Sequence, residues 1–182
     1  GEYYRTDRAR LYSPPEGPVP ILLAAGGPKS ATLAGELAQG VVTSVKDPAE
    51  TRERVIEPLK AAAAEAGRPE PTVLATRWCL YASDEDEAWR ALHSWRGLRA
   101  PGRLEAVDPQ TLRERADELP REEVLGRYAV VDTVEEIVAI YRPLVEDLDA
   151  DIVTFQMSCV DQPALIELLG QEVLPRLRNL TS

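Results

Sequence analysis

The stretch Pro20-Ile21-Leu22-Leu23-Ala24-Ala25-Gly26-Gly27-Pro28-Lys29-Ser30 decides the fold. Six apolar residues run unbroken into two glycines and a proline, the pattern of a buried parallel strand that stops at a tight turn. The residues that follow put Leu33, Ala34, Leu37 and Ala38 on one helical face, and Gly40 offers a C-terminal stop. Val41-Val42-Thr43-Ser44 then reads as a second strand. A strand, a helix and a strand in so short a span form the repeating unit of a parallel sheet.

Outward from this unit the pattern continues. Asp47-Pro48-Ala49-Glu50 combines an N-cap, a first-turn proline and a glutamate three residues after the cap, which predicts a helix reaching about Gly67. Pro58 inside it removes a backbone donor and predicts a kink or break near Glu57. Residues 72–82, rich in β-branched and aromatic side chains, read as a third strand. About seventy residues then separate Ser83 from the next convincing strand, Asp151-Ile152-Val153-Thr154-Phe155-Gln156. Helix starts at Ser83, at Asp108-Pro109, near Pro120 and at Asp132-Thr133 predict a helical insertion over residues 83–150. A last helix spans residues 163–177. The order predicts an α/β fold in which residues 1–182 form a single partial domain. Four strands leave two architectures, a small open sheet or half of an eight-stranded barrel whose other half is missing. Gly1-Glu2-Tyr3-Tyr4 has neither a methionine nor a polar lead-in and points to a fragment.

Composition removes several function classes. The 182 residues are 44% hydrophobic and 29% charged, the profile of one soluble globular unit. A net charge of −10 opposes binding to nucleic acid or to anionic lipid, and no lysine cluster offsets it, because lysine occurs only at Lys29, Lys46 and Lys60. No apolar run approaches membrane-spanning length, and residues 1–20 carry no signal-peptide core, so the expected location is the cytoplasm. Cys79 and Cys159 sit in apolar runs without metal-type spacing and read as core thiols. His93 is the only histidine, which excludes a multi-histidine metal site. The acidic run Asp84-Glu85-Asp86-Glu87 fits a first helical turn better than a metal site. Trp78, Trp89 and Trp95 lack interleaved basic residues and read as packing groups.

Two turns carry candidate chemistry. Gly26-Gly27-Pro28-Lys29-Ser30 opens a helix, where free N–H groups and the helix dipole favour an anion. The same glycines are equally explained by a turn that needs positive φ. Thr43-Ser44-Val45-Lys46 follows the second strand and falls on the same rim, as a phosphate-holding loop or as a solvated one. Arg103, in Arg99-Ala100-Pro101-Gly102-Arg103, and Arg127, in Gly126-Arg127-Tyr128, read alone as surface arginines.

Taken together, Glu2-Tyr3-Tyr4 through Ala9-Arg10-Leu11-Tyr12, then Val19-Pro20-Ile21, Ala24-Ala25-Gly26-Gly27-Pro28 and Leu33-Ala34-Gly35, resemble luciferase-like oxidoreductases that use coenzyme F420, in particular the F420-dependent glucose-6-phosphate dehydrogenase group. The resemblance covers nearly the whole chain but only the second half of such an enzyme. It implies strands five to eight of a TIM-type (β/α)8 barrel with a helical insertion before the last strand. It implies further that Ala25, Gly26 and Gly27 line the F420 site, and that Thr43, Lys46, Arg103 and Arg127 hold the anion of a small-molecule substrate, phosphorylated in the sugar-phosphate enzymes. Arg103 falls where those enzymes carry a lysine, which keeps the charge and changes the hydrogen-bond geometry. Gln39 stands where the family has aspartate, which puts the local turn in question. The family's catalytic histidine and its acidic partner belong to the first barrel half, so no catalytic residue is assigned here.

The activity this implies is hydride transfer between an alcohol or sugar-phosphate type substrate and F420. Two alternatives stand beside it: a non-catalytic half-barrel that binds an anionic ligand or a partner subunit, and an FMN-dependent luciferase-like monooxygenase. Exposed parallel edges predict self-association or pairing with a complementary half-barrel.

Overall fold

A computed structural model describes residues 2–10 and 12–181. Gly1 and Leu11, on which parts of the N-terminal reading rest, lie outside the described residues, as does Ser182. The described residues before position 22 form neither helix nor strand.

The apolar run that opens the argument forms β1 (Leu22–Ala24), followed by α1 (Pro28–Leu37) and β2 (Gly40–Ser44). Strands β1 and β2 pair in parallel, Leu22 with Gly40 and Ala24 with Val42. Gly40 does not act as the helix stop, because α1 ends with Ala38 in an extended conformation. Its role is close approach: a Cβ on Gly40 would lie 2.1 Å from the Thr72 carbonyl oxygen. Gly35 likewise lets α1 press against the next helical layer, where a Cβ would meet the Leu59 carbonyl at 2.3 Å. Gln39, the departure noted above, ties down the start of β1, since its side-chain oxygen accepts from the Ile21 N–H at 2.8 Å.

After β2, α2 (Pro48–Thr51) starts on an Asp47 cap that accepts from the Glu50 N–H, and leads through Arg52–Ile56 into α3 (Glu57–Glu65). The kink or break expected near Glu57 takes the form of a widened turn. Arg52–Ile56 widens into a π-helical turn, with the Glu57 N–H bonding back to the Arg52 carbonyl, and the helix runs on. Widening the turn ahead of a proline relieves the clash of its ring with the carbonyl four residues back. The same device recurs at Leu169–Val173, ahead of Pro175.

The third strand, β3 (Thr72–Tyr81), organises the sheet. Its first half pairs in parallel with β2, Gly40 with Thr72 and Ser44 with Thr76. Four further helices follow: α4 (Glu85–Ala91), α5 (Pro109–Asp117), α6 (Arg121–Leu125) and α7 (Val134–Glu146). The starts read at Asp108 and at Thr133 hold, Asp108 as a cap and Thr133 in a capping box with Glu136, whereas α4 is capped by Asp84, one residue after the Ser83 start read from the sequence, and α6 follows Pro120 without a side-chain cap. A strand the sequence reading did not assign, β4 (Ala129–Val131), lies between α6 and α7 and pairs in parallel with the far end of β3. Three residues are too few to show a period of two, so the pattern gave no signal. The last strand, β5 (Ile152–Ser158), pairs in parallel along β3 from Leu74 to Leu80, and α8 (Gln162–Leu168) and α9 (Leu174–Arg178) close the chain. The result is a five-stranded parallel sheet with helices, an incomplete TIM-barrel-like arrangement.

Alternate residues divide the sheet into two faces. Val41 and Val45 of the β2 segment and Val73, Ala75 and Cys79 of β3 are buried with Ala31, Ala34, Leu59, Ile137, Tyr141 and Leu144 from the helices. The opposite face carries Thr76 and Gln156, whose side chains hydrogen-bond to each other at 3.2 Å. A second core of Leu80, Leu92, Val124, Leu125 and Tyr128 anchors the segment between β3 and β5. No helix among the described residues is long and apolar enough to cross a membrane.

Candidate functional site

Because β1 and β2 run in parallel and in register, the turns after Ala25 and Thr43 open at the same end of the sheet. The Ala25 N–H bonds to the Val42 carbonyl at 3.0 Å and fixes the two turns side by side. At the first, Gly27 precedes α1 in extended backbone, with φ −168°, and no side chain caps the helix. The first turn of α1 holds no acidic residue. Neither Gly26 nor Gly27 has a positive φ, which among the described glycines belongs to Gly67 and Gly102. The conformational explanation for this glycine pair therefore falls away. A Cβ on Gly26 would meet nothing within 4 Å, and one on Gly27 only the Arg54 Nη2 at 3.8 Å. Open backbone at an uncapped helix start is a cradle for an anionic group.

A small cavity of about 160 Å³ lies at this point, lined by Gly26, Thr43, Ser44, Lys46, Asp47, Glu50 and Arg54 among others. Thr43 is 2% exposed, and its hydroxyl has no hydrogen-bond partner among the described residues. A buried hydroxyl without a partner carries a desolvation cost that a bound ligand would remove. Arg54, from the π-helical turn, is held by Glu50 at 2.6 Å.

A second cavity, of about 480 Å³, adjoins the first through Ser44 and Lys46. Its lining gathers four cations, Lys46, Arg77, Arg99 and Arg127, with Trp78 and Tyr128. Among the described residues no carboxylate lines it, in a chain of net charge −10. Arg77 projects from β3, and its Nη1 donates to the Val45 carbonyl at 2.8 Å and to the Lys46 carbonyl, so one guanidinium sets the loop that carries Lys46. The Arg77 carbonyl in turn accepts from the Tyr141 hydroxyl at 2.7 Å. Tyr141 and Cys79 touch at 3.7 Å in the core, where burial pushes the Cys79 thiol up to about 11 and raises the Tyr141 phenol as well. Arg127 pairs with Glu123 at 2.8 Å.

The structure thus brings Lys46 and Arg127 to one cavity, and Gly26, Thr43 and Lys46 to its neighbour. Ala25 is buried beneath the turn. Arg103 is exposed beside Gly102, whose φ is +66°, and lines neither cavity. The sequence reading passed over Arg77 and Arg99. A charged residue in the middle of an otherwise apolar strand was the available signal for Arg77. None distinguished Arg99 from Arg103. His93 sits exposed in the turn after α4, and Asp84 spends its carboxylate on the Glu87 N–H.

The chain matches the family model described as luciferase-like monooxygenase over residues 1–150 and belongs to that family. An F420-dependent glucose-6-phosphate dehydrogenase of Nakamurella multipartita is 35% identical over 185 residues, covering 99% of this chain and 54% of that protein. An F420-dependent hydroxymycolic acid dehydrogenase of Mycobacterium tuberculosis is 36% identical over 182 residues, covering 98% and 48%. Among solved structures, an F420-dependent secondary alcohol dehydrogenase in complex with an F420-acetone adduct matches with a TM-score of 0.75 at 25% identity, over 97% of this chain and 54% of that one. The chain spans about half the length of the curated relatives it matches.

Proposed function

We propose that this chain is the C-terminal part of an F420-dependent oxidoreductase, supplying strands five to eight of a TIM-type barrel, with residues 83–150 inserted before the last strand. The reaction is hydride transfer between F420 and a small alcohol or sugar-phosphate substrate. The observation that carries the reading is the carboxylate-free lining of the larger cavity, where Lys46, Arg77, Arg99 and Arg127 meet at the strand ends beside an uncapped helix start. Similarity to F420-dependent relatives across nearly the whole chain supports it.

The residues present fit the cofactor. Gly26 and Gly27 leave the backbone open, the first turn of α1 offers N–H groups without a competing acid, and the Thr43 hydroxyl awaits an acceptor. When bound, the deazaflavin supplies the hydride-exchanging ring. Gly26, Gly27 and the α1 amides hold its anionic portion. Lys46 and Arg127 bind the substrate anion and so fix the orientation of the reacting carbon, an effect that converts binding energy into rate. The group that takes the hydroxyl proton belongs to the complementary half of the barrel. Among the described residues β1, β4 and β5 have one neighbour each, and of these β1 and β5 are the edges on which that half or a second copy would pair.

Titration calorimetry of this chain with inorganic phosphate, glucose 6-phosphate and F420 tests the reading. Saturable binding of the sugar phosphate, competed by phosphate and lost in Lys46→Ala, is expected, and turnover is expected only once the complementary half is supplied. No saturable binding of either phosphate or F420 would overturn it.

A further inference from the structure

We infer that Arg99, presented by Tyr128, is the cation that the segment between β3 and β5 contributes to the larger cavity, in place of Arg103, and that it selects a phosphate monoester over an uncharged substrate. The inference rests on the anion-binding reading above and adds to it the residue that decides specificity.

Three observations place Arg99 in this role. It is half-buried and lines the cavity with Lys46, Arg77 and Arg127, whereas Arg103 lies four residues on, past the Gly102 turn, on the exposed side. Its orientation is fixed at one end only: Nε donates to the Tyr128 hydroxyl at 3.1 Å, and the guanidinium carbon stands 5.0 Å from the Tyr128 ring centroid. Tyr128 itself is 9% exposed and packs against Trp78 at 6.1 Å, so the support does not swing. The terminal nitrogens of Arg99 have no partner among the described residues, which leaves a planar fork of donors for an oxyanion.

Charge balance strengthens the case. Glu123 already offsets Arg127, and Arg77 spends its Nη1 on two backbone carbonyls. Among the described residues Lys46 and Arg99 are then the two cations in the cavity without a carboxylate or carbonyl partner for the head group. One is a point charge and the other a fork, a pair suited to a tetrahedral dianion with three terminal oxygens. A neutral alcohol would leave both charges uncompensated beside Trp78 and Tyr128.

The test is inorganic phosphate binding to the chain and its variants by calorimetry, with denaturation midpoints confirming that each is folded. Arg99→Leu should raise the dissociation constant roughly tenfold or more, the effect of losing a hydrogen bond to a charged group. Arg99→Lys should recover part of the loss, because it keeps the charge without the fork, and Tyr128→Phe should weaken binding a few-fold. Arg103→Leu should change it less than twofold, and Lys46→Ala serves as the control for the cavity itself. Phosphate binding that depends on Lys46 but falls as much in Arg103→Leu as in Arg99→Leu overturns the assignment of Arg99 and leaves the anion site standing. Binding that is absent altogether, or indifferent to Lys46, overturns both.

Discussion

Replacing Thr43 by valine should make the unliganded protein more stable and its ligand binding weaker. The side chains are nearly isosteric, the position is 2% exposed, and Thr43 Oγ1 has no hydrogen-bond partner among the described residues. Its burial without a partner costs about 1–3 kcal/mol, and valine removes that cost without opening a cavity. A gain of about 1–2 kcal/mol would shift the urea midpoint upward by about half to one molar, for a dependence near 2 kcal/mol per molar. In the liganded state the sign reverses. The hydroxyl lies on the small cavity with Gly26 and Lys46, where it can donate to a bound oxyanion. Its loss should weaken inorganic phosphate or F420 roughly tenfold, measured separately by calorimetry. A variant that is less stable than the parent would mean that Oγ1 finds a partner in solution. A variant that is more stable, with both affinities unchanged, would mean that the hydroxyl is not held in reserve for a ligand. Either result refutes the reasoning.

Gly40→Ala should destabilise by roughly 3 kcal/mol or more, since its Cβ would lie 2.1 Å from the Thr72 carbonyl between two paired strands, whereas Gly26→Ala, with nothing within 4 Å, should leave the urea midpoint unchanged and weaken ligand binding. Equal midpoint shifts in the two variants would contradict this. Tyr141→Phe removes the 2.7 Å bond to the Arg77 carbonyl and should cost about 1–2 kcal/mol, together with a measurable loss of phosphate affinity through the loosened Lys46 loop; an unchanged affinity would disconnect Tyr141 from the site. Burial holds the Cys79 thiol at about 11, above its ordinary 9.0. Its protonated form is therefore favoured by folding, and the stability it contributes is present below pH 9 and lost as pH rises from 9 to 11. Denaturation midpoints should fall across that window and fall less steeply in Cys79→Ala, although Tyr141, raised for the same reason, keeps part of the slope. Parallel curves for the two proteins would show that Cys79 titrates normally.

The elements with strong local signals were legible in the sequence. The Asp47, Asp108 and Thr133 caps sit where their spacing put them, and the α4 cap falls on Asp84, one residue past the Ser83 start, because a cap and its helix lie within one turn of each other and depend on nothing distant. Gly40 shows the limit of that logic. Its position after α1 suggested a helix stop, yet the demand comes from Thr72, thirty-two residues on, and no local pattern carries a demand made by a neighbouring strand. Pro58 signals a disturbance near Glu57, a kink or a break, but not its form, a π-helical turn over Arg52–Ile56 whose Val55 and Ile56 pack in the core with Leu59. At the site, Lys46 and Arg127 line one cavity, Thr43 its neighbour and Arg103 neither, whereas Arg77 and Arg99 escaped notice. Arginines are common, and which of them turns inward is decided by Tyr128 and by two carbonyls of a loop more than thirty residues earlier.

The cavity that gathers Lys46, Arg77, Arg99 and Arg127 also leans on β5, none of whose residues line it. Lys46 is placed by Arg77, the Arg77 carbonyl is held by Tyr141, and the Tyr141 ring packs 4.5 Å from that of Phe155 on β5. This relay joins the loop after β2 to β3, α7 and β5 in three contacts. Among the described residues β5 is an edge, with β3 as its one partner and Ile152 44% exposed. An edge strand paired on one side only is held by half the hydrogen bonds of an interior one. Whatever pairs with β5 therefore stiffens the support of Tyr141 and, through it, the loop of Lys46. A complementary half-barrel would thus act on the substrate anion without touching it, and phosphate affinity would rise on assembly even where every liganding side chain comes from this chain.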